Sequence, residues 1–111
     1  MLPKSHRLPA SEIPAVLKQG RKITIPVGQL IFRRTQNSVS RFAFVVATRV
    51  DKRATVRNRL KRLLREAVRH LLPRIKPGYD TIVIARTNFF NSTQPEVEVM
   101  VKEMLIKAGE L

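Results

Sequence analysis

The sequence predicts an α+β fold, a two-layer α/β sandwich in which helices pack mostly on one face of a single sheet, in the order α-β-β-β-α-β-α. Three observations predict it. Apolar residues recur at helical spacing over 13–17, 56–71 and 97–108. They follow the period of strands between residues 23 and 47, and fill the continuous run 82–85 of the segment "DTIVIA" (80–85). A length of 111 residues suits one domain around one core.

The elements follow in order. Residues 1–9 hold two prolines, three basic groups and no periodicity, so an extended basic arm is expected. Ser11 is placed to cap a short helix whose inner face is Ile13, Val16 and Leu17, and Gly20 offers its stop. "ITI", "QLIFRRT" and "RFAFVVAT" are the first three strands; Pro26 and Gly28 part the first two, and "QNS" turns between the next pair. In the third, Phe42, Phe44 and Val46 point to one side, where a helix packs, while Ala43, Val45 and Ala47 form a shallow face suited to a groove floor. A long helix starts with Thr55 as N-cap and stops before Pro73. "KPGYD" is a turn and "DTIVIA" a strand buried inside the sheet. Thr93 and Glu96 have capping-box spacing, ahead of a stripe of Val97, Met100, Val101, Met104, Leu105 and Ala108.

Charge is the outlier. Twenty-two Lys and Arg against eight Asp and Glu give a net charge of +14. Such a surface repels itself and attracts polyanions, nucleic acid first among them. Absence of cysteine excludes disulfides and thiol chemistry. The N-terminus lacks the apolar core of a signal peptide, and the longest apolar run, 42–47, is far short of the roughly 20 residues that span a bilayer. A cytoplasmic protein without membrane or DNA partners is expected. Chemistry by the chain itself is not: the only histidines are His6 and His70, and the acids are scattered, with Asp51 and Asp80 meeting only if their strands bring them together.

The charge is concentrated in "ATVRNRLKRLLREAVRHLL", residues 54–72. At 100° per residue, Val56, Leu60, Leu63, Leu64, Ala67 and Leu71 fall in an arc of about 100°, and Asn58, Arg62, Arg65 and Arg69 cluster within about 60° on the other side. Lys61 and Arg59 flank that ridge. Like charges at i+3 and i+4 destabilise a helix by tenths of a kcal/mol per pair, a penalty that a polyanion removes. Arginine predominates, and its planar fork suits phosphate and guanine. A strand precedes this helix, which argues against a helix-turn-helix bound to DNA.

"RNRLKRLLREAVR" (57–69) resembles the RNR signature of the protein component of bacterial ribonuclease P. The blocks "RLPASEIPAVLKQGRKI", "SRFAFVVATRVDKRATVRNR" and "KPGYDTIVIAR" resemble the same family in order and spacing, so the resemblance covers nearly the whole chain. It implies a subunit that binds ribonuclease P RNA and precursor tRNA and assists endonucleolytic removal of the 5′ leader. The RNA would carry the chemistry with Mg²⁺ that it mainly holds itself, none being bound by the protein alone. It also implies a left-handed βαβ crossover between the third and fourth strands. Carried over by position, Arg57, Asn58, Arg59, Lys61, Arg62 and Arg65 face the catalytic RNA, with Arg69 continuing the ridge. Ile13, Leu17 and Arg33 stand where relatives commonly have aromatic residues lining a leader cleft between the first helix and the sheet. Aromatic rings stack on bases for roughly 1–3 kcal/mol each, and Ile13 and Leu17 do not. The cleft is therefore expected to lean on Phe32 and on the charge of Arg33, Arg41 and Arg49. The alternative is a ribosomal or general structural RNA-binding protein of the same size and charge, without a processing role.

Overall fold

The structure, a computed structural model, describes residues 2–111; Met1, the first position of the expected arm, lies outside the described residues. Along the chain come α1 (Ile13–Gln19), β1 (Arg21–Ile25), β2 (Gly28–Arg34), β3 (Arg41–Val45), α2 (Ala54–Leu71), β4 (Tyr79–Ala85) and α3 (Gln94–Lys107). Short 3-10 turns occupy Lys4–His6, Ala10–Glu12 and Leu72–Arg74. The order is the α-β-β-β-α-β-α that the periodicities predict.

The sheet order is β1-β2-β4-β3, with β3 and β4 parallel and the other pairs antiparallel. β4 thus lies between two partners, as its unbroken apolar run requires. Side chains alternate along each strand, so the registers build rows across the sheet. Leu30, Val83 and Phe44 form one row facing α2 and α3, and Phe32, Thr81 and Phe42 form the next. Ile31, Ile82 and Ala43 form a row on the opposite face, under α1.

The helices on the two faces of the sheet contribute unequally. α2 buries Val56, Leu60, Leu63, Leu64, Ala67, Val68 and Leu71, and α3 buries Val97, Val101, Met104 and Leu105. α1 buries only Val16. At about 1.5–3 kcal/mol for each large aliphatic side chain removed from water, the α2–α3 side dominates the hydrophobic stabilisation.

Helix ends follow the expectation in one case and correct it in two. In α3 the capping box forms: Thr93 N–H donates to Glu96 Oε1 at 2.8 Å, and Glu96 N–H donates to Thr93 Oγ1 at 3.4 Å. In α2 the N-cap is Arg53, not Thr55, and no side chain caps it directly. Asp51 instead accepts the Arg53 N–H from outside the helix at 2.8 Å, which lets the first turn begin earlier. In α1 the N-cap is Glu12, not Ser11, because the 3-10 turn Ala10–Glu12 delays the helix. Pro14 then falls in the first turn, where its missing N–H loses no helical bond. Gly20 does end α1, but through close approach and not a left-handed backbone. Its N–H donates to the Val16 carbonyl at 2.7 Å, and a Cβ there would lie 2.8 Å from Ile31 Cγ2.

Residues 2–9 lie along the outer edge of β3. Leu2 and Leu8 are buried, Arg7 bridges Phe42 in parallel, and the Leu8 N–H donates to the Phe42 carbonyl at 2.9 Å. His6 Nδ1 adds a bond to the Ser40 carbonyl at 2.7 Å.

The Leu8–Phe42 bond also reveals the hand of the β3-α2-β4 connection. Phe42 turns its side chain to α2 and its carbonyl to the arm, away from β4. In a strand of L-residues drawn running upward, a residue whose side chain faces the viewer points its carbonyl to the right. Seen from α2, β4 therefore lies to the left of β3. A chain that rises through β3, crosses in front as α2 and rises again on the left is left-handed. Such crossovers are right-handed in about 98% of cases, so general sheet physics predicts the opposite of what the family resemblance implied and the structure has.

Candidate nucleic-acid interface

The amphipathic pattern of α2 turns its leucines inward and leaves a cationic outer face. Asn58, Arg59, Arg62 and Arg69 are exposed; Arg57, Lys61 and Arg65 are half-buried. Their surroundings differ. Arg57 Nη1 donates to the carbonyls of Asp51 and Lys52 at 3.0 and 2.8 Å, tying the helix to the loop before it. Arg59 lies 5.3 Å from the Phe90 ring centroid and donates through Nε to the Phe90 carbonyl at 3.2 Å. Arg65 rests 5.9 Å from the Phe44 centroid. Arg69 bonds Glu66 at 3.0 and 2.8 Å and holds that carboxyl down at about 2. Among the described residues, Asn58, Lys61 and Arg62 have no hydrogen-bond or ion-pair partner.

Acids therefore relieve the C-terminal half of the ridge and leave the N-terminal half one-signed. Glu66 takes Arg69, and Glu98 takes His70 Nδ1 at 3.0 Å. The unrelieved half is also the positive end of the helix macrodipole. Cations there are mildly unfavourable for folding, while a phosphate gains from both fields.

Among the described residues, every other side-chain carboxylate has a partner of its own. Glu12 is taken by Arg41, Asp51 by Arg53 and Asn88, Asp80 by Arg33 and Arg41, Glu96 by Thr93, and Glu103 by Lys107. The Arg53 side chain lowers the Asp51 carboxyl to about 2. Glu110 is fully buried, and its two oxygens accept from the Thr81 hydroxyl at 3.0 and 2.9 Å. Burial pushes its carboxyl up to about 7.

On the other face of the sheet, α1 stands over β2 and β4. Ile13 packs beside Val16, Ile31 and Ile82, while Leu17 is 46% exposed. Arg33 and Arg41 reach the same face from either side of Asp80, because the register sets all three in one row. Arg41 donates to both Asp80 oxygens, through Nε and Nη2 at 2.9 Å each, and to both Glu12 oxygens at 2.9 Å. Arg33 Nη2 reaches Asp80 Oδ2 at 3.3 Å, and its Nη1 reaches Gln19 Oε1 at 3.2 Å. The Asp80 and Glu12 bonds hold the Arg41 guanidinium above its ordinary value. Two arginines expected as free cleft cations are thus paired with two acids that knit α1 to the sheet.

Phe32 is a correction. The alternation that aims Arg33 at α1 turns Phe32 to the opposite face, where it is buried with its centroid 6.2 Å from that of Tyr79. It is not brought together with Ile13 and Leu17. Arg49 is exposed on the turn after β3. Asp51 and Asp80 also stay apart: their strands are neighbours, but parallel, so one acid follows the end of β3 and the other begins β4. Among the described residues no three His, Cys, Asp or Glu side chains gather as a metal site, and no helix is long and apolar enough to cross a membrane.

The sequence reading passed over Phe90, which lies against Arg59, and the Asn88–Asp51 bond beneath it. The adjacent pair Phe89–Phe90 was the available signal, since neighbours in a non-helical loop diverge and one of the two rings must face outward.

A sequence model of the family described as Ribonuclease P matches residues 2–109. The chain is 34% identical over 110 residues to the ribonuclease P protein component of Xanthomonas oryzae pv. oryzae (strain MAFF 311018), covering 98% of this chain and 74% of the relative. It is 36% identical over 110 residues to the same component of Symbiobacterium thermophilum, covering 97% and 95%. Among solved structures, it is similar to the RNase P protein of Thermotoga maritima, with TM-score 0.74 and 27% identity over 92% of this chain and 93% of the other. A Staphylococcus aureus RNase P protein mutant with defective mRNA degradation activity has the same fold, with TM-score 0.86 and 21% identity over 97% and 92%.

Proposed function

The chain belongs to the ribonuclease P protein family, and on that premise we propose that it is the protein subunit of ribonuclease P, seating the catalytic RNA on the outer face of α2. Asn58, Lys61 and Arg62 carry this reading: they stand unpartnered on a helix whose acidic neighbours are already taken. Arg57, Arg59 and Arg65 are oriented around them by backbone carbonyls and aromatic rings. Arg69, spent on Glu66, is a weaker contact than its position on the ridge suggests.

The precursor-tRNA leader passes over the α1 face. Leu17, exposed, and Ile13, at the edge of the smaller core, offer apolar contact; exposed Arg49 and the half-buried guanidinium groups of Arg33 and Arg41 offer charge. With Arg33 and Arg41 partly neutralised and Phe32 on the other side, leader binding is modest beside the binding of the catalytic RNA. The RNA performs the cleavage with Mg²⁺ that it holds itself. Protein cations offset repulsion between two RNAs and so lower the Mg²⁺ that the assembly needs. The setting is cytoplasmic.

Reconstitution tests this. The protein is mixed with a bacterial ribonuclease P RNA and a precursor tRNA with labelled leader, and leader release is followed across Mg²⁺ concentrations. Stimulation at low Mg²⁺, lost on Arg59→Ala with Arg62→Ala, is expected; an identical Mg²⁺ dependence with and without protein refutes the reading. If about 6–10 phosphates are contacted, RNA affinity falls by roughly 10³–10⁵ between 50 and 200 mM salt.

A further inference from the structure

The loop between β4 and α3 holds Phe89 and Phe90 in succession, and the two rings part. Phe89 is buried in the main core, whereas Phe90 remains 38% exposed. The exposure is built in. Phe90 N–H donates to Asn88 Oδ1 at 3.0 Å, Asn88 Nδ2 donates to Asp51 Oδ2 at 2.9 Å, and Ser92 N–H donates to the Phe89 carbonyl at 2.9 Å. A buried anchor, two turn bonds and a side-chain tie to the start of α2 thus hold one ring at the surface, with the Arg59 guanidinium over one of its faces.

A concavity of about 500 Å³ surrounds it, lined also by Arg53, Asn91 and Ser92. Asn91 is exposed, with no partner among the described residues. Arg53 spends Nε and Nη2 on Asp51 and keeps Nη1 free. Glu96 lines the rim, but its carboxylate is turned into the α3 capping box. A protein partner would ask for contiguous apolar surface here, and the neighbours are polar and cationic. A single ring with an amide and a guanidinium beside it matches what holds an unstacked base: a π-face, edge hydrogen bonds and a phosphate partner.

We propose that this concavity is a nucleobase site, in which one unpaired nucleotide of the RNA seated on α2 lays its base on Phe90, presents an edge to the Asn91 amide and its phosphate to Arg53. The site rests on the ribonuclease P reading above. It gives the interface one contact whose strength does not come from charge.

That difference is the test. The full chain is titrated against a bacterial ribonuclease P RNA at several salt concentrations, with Phe90→Leu, Phe90→Trp, Arg59→Ala and the double variant Arg59→Ala/Phe90→Leu. Phe90→Leu is expected to weaken binding by roughly 5- to 140-fold, the equivalent of about 1–3 kcal/mol at 1.4 kcal/mol per tenfold, without changing the salt slope. Phe90→Trp should bind within about twofold of the wild type, since the larger ring stacks as well. Arg59→Ala should lower the slope by about one, and the double variant should show both losses. If Phe90→Leu binds as the wild type does, or only reproduces the slope change of Arg59→Ala, the ring merely props the arginine and the nucleobase site is overturned. Wild-type protein that fails to bind the RNA in a salt-dependent way would overturn the family-based reading itself, a result distinct from either.

Discussion

Replacing Glu110 by Gln should stabilise this protein above neutral pH and leave it nearly unchanged near pH 4.5. The carboxyl lies fully buried against the sheet, with one hydroxyl, that of Thr81, serving both oxygens. Burial raises its folded-state value from 4.5 to about 7. The folded state therefore holds a proton that the unfolded chain releases between those values, and stability from this group falls as pH rises through that window. The full span is worth about 3 kcal/mol at 1.36 kcal/mol per pH unit, an upper bound once the surroundings relax. Glutamine keeps the shape, remains neutral, and exchanges one hydrogen bond with Thr81. Urea or thermal unfolding followed by circular dichroism at pH 4.5, 6 and 8 reads the effect. The variant should gain about 1–3 kcal/mol over wild type at pH 8, or roughly 4–8 °C for each kcal/mol. Taking the difference between the two proteins cancels the histidines and the other carboxylates. A gap that does not widen between pH 4.5 and 8, or a variant less stable at pH 8, would show that Glu110 is not a desolvated acid.

Two further outcomes follow from the side chains on either face of the sheet. Asp80→Asn should cost about 3 kcal/mol in unfolding free energy, because it leaves Arg33 and Arg41 with half their carboxylate oxygens. A cycle with Arg41→Gln should show coupling of more than about 1 kcal/mol, and additivity would mean that the row is not a unit. Arg62→Ala, by contrast, should leave stability within about 0.5 kcal/mol and lower the salt slope of RNA binding by about one, as expected of a cation with no partner inside the protein.

The sequence was legible where one element decides the matter by itself. The faces of α2 followed from the spacing of its leucines and arginines, and the α3 capping box from two residues three apart. What needed register was hidden. Nothing local says that Arg33 and Arg41, one before and one after a turn, flank the same carboxylate on β4, so the sequence alone counts their charge toward the cleft. Phe32 was misplaced for a similar reason: its neighbour Arg33 takes the α1 side, and a strand sends adjacent residues apart. The hand of the crossover was legible only through family resemblance. Thr55 lost the N-cap because Asp51 accepts the Arg53 N–H from outside the helix, an Asx-turn that sets the helix start two residues ahead of the expected cap.

Arg7 and Leu8 pair with Phe42 along the outer rim of β3. A border strand left bare offers a row of unmet donors and acceptors that invites another chain to add itself. Here the segment ahead of the first helix acts as a hem. It occupies those groups along part of the rim and turns Leu2 and Leu8 inward as it does so. Removing it would cost more than two buried leucines: it would open a site for edge-to-edge association in a protein otherwise kept apart by its own charge.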